Sequence, residues 1–437
     1  MIKFIRQTVC FQSLGYLFQL GAFFIFAKIL GTEGQGVLSI FRALGQIIAS
    51  IMWMGLPASI VYFIGKDKCL FFPLLRNCLK WFAFAFFLLV LCLYLVPIKK
   101  TPKLNLVESY IPHLLFFVFL SSFFDLFQGL MLSLKKYLYY NLFAFGLGAA
   151  IFSFSVLTGV LPRSYDKLTF AIVFYVLGYG LVFFYGVVMV FFEGYKLIKE
   201  NEAGKKVPFL YQFTVGFRGF ISNVAGLLLF RLDLFFVGYF LSFKEVGVYS
   251  IALFSAEMIT KIPYWSSSIL TPMTASNEDG HIRKTVFLFY SSVILALVFG
   301  LTFVLIITVA PGFITGLIGK DYAGVETCLL LLLPRVIMQS GVGILAANLA
   351  GKGYPWCHPA GTIASAVCLI PLAIILIPIY GINGAALADS TAFIACFLIF
   401  WFGYQKHNND YILAGFKPFL LYIFGKFWPI NKGSQRV

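Results

Sequence analysis

Apolar stretches separated by short polar joints run the length of the chain. Stretches of about 20 mostly apolar residues, enough for a helix rising 1.5 Å per residue to cross a hydrocarbon layer of roughly 30 Å, fall at about 9–30, 37–64, 72–96, 110–134, 138–161, 168–192, 209–240, 247–274, 285–310, 323–349, 356–380 and 382–404. The pattern predicts an all-α polytopic membrane protein with about 12 transmembrane helices. The second and seventh stretches are long enough to tilt or bend, and Pro57 predicts a kink in the second. The joints are polar, as in GKDKC (65–69), SLKK (133–136) and EGYKLIKENEAGKKVP (193–208). The apolar run behind Lys3 and Arg6 continues to Leu30 without a small-residue cleavage site, so it predicts a first span rather than a cleaved signal. Beyond Gln405 the sequence FLLYIFGKFW, flanked by lysines, suits a helix lying in the membrane interface.

An even number of spans puts both termini on one side. Lys99, Lys100, Lys103, Arg163, Lys167, Lys244 and Lys320 then fall opposite the termini. Most other basic joint residues, including Lys3, Arg6, Lys66, Lys68, Lys135, Lys136, Lys205, Lys206, Lys352 and Lys406, share the termini's side. The bias, roughly three to one, predicts that both termini are cytoplasmic.

Composition agrees with this pattern and closes off other classes. Hydrophobic residues make up 61% and charged residues 11% of the 437, with a mean hydropathy of +0.93. A soluble chain carries roughly a quarter charged residues. The net charge of +16 is mostly loop topology, and no basic soluble segment exists to hold nucleic acid, which is excluded as a partner. The eight cysteines show no CxxC or metal-type spacing, and Cys10, Cys92, Cys328, Cys368 and Cys396 lie within apolar stretches as small hydrophobes. The four histidines are scattered, so no metal site is expected.

The chain also repeats itself. Gly36-Val37-x-Ser39-Ile40, in the joint ILGTEGQGVLSI, aligns with Gly247-Val248-x-Ser250-Ile251, in YFLSFKEVGVYSI, 211 residues later. Each motif sits between the first two spans of a six-span half. Six is even, so the halves share one orientation and form a parallel repeat about an axis along the membrane normal. The expected organisation is a six-helix lobe over 1–192, a cytoplasmic linker over 193–208, a second six-helix lobe over 209–404 and a cytoplasmic tail over 405–437.

Around these motifs the sequence resembles the polysaccharide or O-antigen-type (Wzx-type) lipid-linked oligosaccharide flippases of the multidrug/oligosaccharidyl-lipid/polysaccharide (MOP) superfamily. The resemblance rests on FFIFAKILGTEGQGVLSIFRALGQIIASIMWMGLPASIVYFIGK, RLDLFFVGYFLSFKEVGVYSIALFSAEMI, LIGKDYAGVETCLLLLLP and IPIYGINGAALADSTAF, and it covers nearly the whole chain. It implies a V-shaped, MATE-like pair of lobes around a central cavity. It implies a cargo, an oligosaccharide repeat unit on undecaprenyl pyrophosphate, moved from the cytoplasmic to the outer leaflet of a bacterial inner membrane. Membrane lipids, a polysaccharide polymerase and chain-length machinery are the partners it implies, in the making of surface polysaccharide such as O-antigen or capsule.

Ionisable residues inside spans are costly and are functional candidates. Lys28, Arg231 and Asp233 lie within two or three turns of a helix end, where snorkelling competes with function. Asp125, Arg218, Glu257, Lys261 and Arg335 lie nearer mid-membrane, and Asp389 is buried in the last span. Glu257 and Lys261, four apart, share a helix face, and two readings stay open. One is an ion pair that only neutralises charge; the other is a coupling site for H+ or Na+, the only cofactor-like species expected. Arg218 and Arg335 have no acid three or four positions away, and Arg42 joins them as an anion-binding candidate. Guanidinium forks suit a pyrophosphate; pairing with a distant acid is the alternative. Substrate-binding candidates are therefore Arg42, Arg218, Arg335, Lys28 and Arg231. Coupling-ion or ion-pair candidates are Asp125, Glu257, Lys261, Asp233 and Asp389. Tyr16, Trp53, Tyr175, Tyr179 and Trp265 could stack on sugars, although packing is the commoner use of such rings.

Flipping of a lipid-linked oligosaccharide is the leading function. A MATE-like cation or drug antiporter is the alternative, and the basic excess among the in-span charges weighs against it. A membrane-embedded polymerase or ligase comes third. The longest outer joint, about 97–109, is too short for a catalytic domain, and no nucleophile–base or paired-carboxylate arrangement appears. A non-enzyme is expected.

Overall fold

The computed structural model describes residues 2–95, 109–134, 136–162, 165–200, 208–275, 281–352 and 357–408. The joint at 97–109 lies almost wholly outside this set, as do part of the central linker and the interfacial stretch of the tail. The described residues form thirteen α-helices, two short 3-10 turns and no strand. In chain order the helices are α1 (Ile2–Trp53), α2 (Leu56–Lys66), α3 (Phe71–Leu95), α4 (Ile111–Ser133), α5 (Tyr137–Val160), α6 (Lys167–Glu200), α7 (Phe209–Phe240), α8 (Phe243–Ala275), α9 (His281–Val309), α10 (Phe313–Ile318), α11 (Val325–Gly351), α12 (Cys357–Tyr380) and α13 (Ile382–Asn408). Ten stretches among the described residues are long and apolar enough to cross a membrane. One of these, Cys10–Trp53, is 44 residues long, about 66 Å as a helix, which is two crossings. The 33-residue α8, whose charged residues dilute its hydropathy, is long enough for the remaining crossing.

The turn between the first two spans is tighter than the sequence implies. Only Gly31, at φ 68° and ψ −176°, leaves helical geometry, a conformation that a side chain disfavours. The matching turn before α8 uses Ser242, whose hydroxyl accepts the Lys244 N–H at 3.2 Å and donates to Glu245, capping the helix start. The kink expected at Pro57 lies two residues earlier. Met54 (φ 44°) and Gly55 (φ 79°) are left-handed, and Pro57 falls in the first turn of α2, where a missing N–H breaks no helical bond. At the linker, α6 stays helical to Glu200, further than the polar composition suggests. Buried Glu193 lies 3.1 Å from Lys136 and 3.2 Å from Lys196, which ties the α4–α5 turn to α6.

Two hydrophobic cores follow the two halves of the chain. One gathers residues between Ala22 and Leu197. The other gathers residues from Leu229 to Tyr404, together with Phe23, Ala27, Ile40 and Ala43 of α1. Helix α1 therefore serves both cores, packing on α5 in its own half and on α8 in the other.

The repeat is visible in the packing. A Cβ on Gly36 would lie 1.9 Å from the Phe243 carbonyl oxygen, and a Cβ on Gly247 would lie 1.9 Å from that of Thr32. The offset that aligns Gly36 with Gly247 also aligns Thr32 with Phe243, so the contact is reciprocal across a local two-fold axis. Only glycine allows the two backbones to meet there.

Candidate functional site

Below this reciprocal contact lies a narrow cleft between the halves, lined by Phe23, Ser39, Arg42, Ala43, Gln46, Arg231, Leu234, Ser250, Leu253 and Phe254. Its walls come in repeat-related pairs: Phe23 with Leu234, Ser39 with Ser250, Arg42 with Leu253, and Ala43 with Phe254. The cleft thus straddles the local axis, and its chemistry breaks the symmetry. Each half brings one guanidinium, from non-equivalent positions: Arg42 from the first and Arg231 from the second.

Arg42 is half-buried among aromatics. Its Nε donates to the Tyr175 hydroxyl at 3.1 Å, and its guanidinium carbon lies 5.0 Å from the ring centre of Tyr175, 5.2 Å from that of Phe23 and 5.6 Å from that of Phe254. Phe23 and Phe254 stack across the boundary between the halves at 4.2 Å. These cation–π contacts fix the guanidinium without neutralising it.

Arg231 leads from the cleft into a charged cluster inside the second half. Glu257 of α8 accepts two hydrogen bonds from it, at 2.7 and 3.4 Å. Behind Glu257 lies Arg335 of α11, with no exposed side-chain surface, 3.6 Å from Glu257 and 3.8 Å from Asp233. It also pairs with Asp389 of α13. Asp233 accepts the Tyr249 hydroxyl at 2.6 Å and the Leu234 N–H at 2.8 Å. The Arg335 guanidinium lies 4.8 Å from the Phe393 ring centre. Four helices meet here with three carboxylates and two guanidiniums, one carboxylate in excess. Beside the cluster, Ser390 donates to the Leu331 carbonyl at 2.7 Å, docking α13 on α11 next to Pro334.

The candidate residues separate accordingly. Arg231, Asp233, Glu257, Arg335 and Asp389 come together; Arg42 faces them across the cleft. Arg335 does not project into the cleft as expected. Its acids come from α7, α8 and α13, which spacing along its own helix cannot reveal. Asp233, two turns from the end of α7, is fully buried and does not snorkel. Glu257 is engaged by guanidiniums from two other helices, where sequence spacing offered Lys261. The side chains of Lys261, Arg218 and Trp265 lie outside the described set. Lys28 is exposed near the Gly31 turn, and Asp125 is exposed on α4, apart from the cluster. Trp53, Tyr175 and Tyr179 are buried, and the Trp53 indole donates to the Ser122 carbonyl at 2.8 Å. Sequence reasoning missed Tyr249. It occupies the variable position of the duplicated motif, where the first half has Leu38, and that asymmetry is the signal that marks it.

The arrangement of two helical halves about an axial cleft is shared with solved transporters. An inward-facing multidrug resistance MATE family transporter superposes with a TM-score of 0.65 at 14% identity, covering 93% of this chain and 96% of that one. A MOP superfamily transporter from Pyrococcus furiosus gives 0.66 at 13% identity, over 94% and 96%. The lipid II flippase MurJ, in an inward closed conformation, gives 0.51 at 15% identity, over 100% and 94%. No curated protein matches the sequence. Residues 7–277 match the model of the polysaccharide biosynthesis protein family, and the chain belongs to that family.

Proposed function

We propose that this protein is a flippase for an oligosaccharide repeat unit linked to undecaprenyl pyrophosphate, with Arg42 and Arg231 as the groups that hold the pyrophosphate. The observation that carries the reading is the convergence of these two guanidiniums, one from each half, on one axial cleft. Paired N–H donors suit phosphate oxygens, and a ligand bridging the halves would draw them together. As it stands the cleft has room for little more than a water molecule, far below the roughly 300–1,000 Å³ of small-molecule sites. A multi-sugar head would enter only with the halves parted, as alternating access requires.

The cluster behind Arg231 supplies a coupling device under this reading. Pyrophosphate would compete with Glu257 for Arg231. Glu257, released, would turn to Arg335, and the excess carboxylate would take up or release a proton or Na+. The direction proposed is from the cytoplasmic to the outer leaflet of a bacterial inner membrane, with both termini cytoplasmic. The product would pass to a polysaccharide polymerase and its chain-length partners.

The test is complementation of a deletion strain. Cells lacking the gene should keep undecaprenyl-linked units in the inner leaflet and lose a surface glycan. Arg42→Ala and Arg231→Ala should each restore little of it, and Arg42→Lys part. Removing one charge-assisted contact costs about 1.5–3 kcal/mol, roughly ten- to a hundredfold in affinity. Normal glycan from a normally abundant double-alanine variant sinks the reading. An unchanged glycan on deletion, with new sensitivity to cationic dyes, would establish the antiporter instead.

A further inference from the structure

The halves touch at a second place, far along the bundle from Gly36 and Gly247, where polar and aromatic side chains join a glycine contact around a helix break. Left-handed Met54 and Gly55 interrupt the second span and leave the Met52 carbonyl without its helical donor. The Trp81 indole of α3 takes it at 3.0 Å. The same indole stacks on Phe209 of α7, with ring centres 5.7 Å apart. The break opens a backbone notch, and α7 fills it. A Cβ on Gly55 would lie 2.1 Å from the Gly216 carbonyl oxygen, and one on Gly216 would lie 2.8 Å from that of Gly55. One turn away, fully buried Gln212 accepts from the Asn77 amide at 3.1 Å and approaches the Cys78 sulfur at 3.2 Å. Tyr211 meets Phe63 edge-on at 5.3 Å.

We propose that this seam between α2–α3 and α7 is a releasable latch, and that the halves pivot on the reciprocal Gly36–Gly247 contact when it opens. At the pivot, two backbones meet directly and symmetrically through glycines, and the Tyr322 hydroxyl donates to the Ala27 carbonyl at 2.9 Å at the same end of the bundle. At the latch, glycine backbones meet unevenly, and amide side chains and aromatic rings around a helix break make the rest of the contact. These groups can exchange partners for one another or for water without unwinding a helix. The latch must part before the cleft admits a ligand from the Gly55 end. The proposal depends on the flippase reading only for its export readout.

The native Cys78 supplies the test. In a Gln212→Cys variant, a short bifunctional methanethiosulfonate should bridge the two thiols in intact membranes, while a Gln212→Ser control should not be bridged. A Ser250→Cys change adds a thiol in the cleft, and labelling of its peptide by a membrane-impermeant maleimide is read by mass spectrometry. Bridging should lower that labelling at least fivefold and reducing agent should restore it, whatever the cargo. Export of the glycan by the bridged Gln212→Cys protein should fall in parallel. Trp81→Phe, which keeps a ring but loses the N–H, should raise Ser250→Cys labelling at least twofold in unbridged protein. Unchanged labelling on bridging overturns the latch. Labelling that falls while export continues refutes its place in transport, and leaves the flippase reading standing if deletion removes the glycan.

Discussion

Arg335 shows how a buried charge can be indispensable to a fold without touching a ligand. Its guanidinium faces Asp389, Asp233 and Glu257 from three other helices. Removing it would leave Asp389 and Asp233 without that guanidinium, while Glu257 keeps Arg231, and breaking a buried ion pair on one side costs about 3–5 kcal/mol. Arg335→Ala should therefore lower membrane abundance and thermal stability together, whereas Arg335→Met combined with Asp389→Leu should recover much of the abundance. Measuring abundance and export in the same cells separates this from a binding role: a normally abundant but inactive Arg335→Ala protein would contradict it. Tyr249→Phe removes a donor from the Asp233 carboxylate and should cost about 1.5–3 kcal/mol, read as a fall in the melting temperature of purified protein. The cluster's acids were legible in the sequence as charges in the wrong solvent. Their partners were not, because a chain shows neighbours at three and four residues while these contacts join residues 26 to 102 positions apart.

At the scale of elements, the joints differ most from what the sequence implies. Span positions follow from hydrophobic length alone, and the described helices fall where the apolar stretches predict them. Pro57 misled because proline marks either a kink or a helix start, and only the backbone at Met54 and Gly55 decides which. The glycine of the duplicated motif was legible as a repeat, but the carbonyl it faces lies in the other half. Gly36→Ala and Gly247→Ala should each place a methyl group against a backbone oxygen, an overpacking cost of about 1–3 kcal/mol. Because both residues serve one contact, the double variant should cost less than the two singles added. Strict additivity in thermal denaturation would show that the two contacts are independent.

For the whole molecule, the two ends of the bundle should lie on opposite faces of the membrane. Lys320, in the turn before α11 near the Gly31 end, should react from outside the cell as a cysteine variant. Lys136, held by Glu193 at 3.1 Å, should react only from within. Labelling of both from one side would break the parallel repeat. The sharing of α1 between two cores also bears on how the chain is made. Phe23, Ala27, Ile40 and Ala43 are buried against residues synthesised some two to four hundred positions later. At roughly 5–20 residues per second, that is a wait of about ten seconds to more than a minute. During it, this face of the α1 hairpin would be held by lipid or by the insertion machinery, a helix waiting for neighbours that have yet to be made.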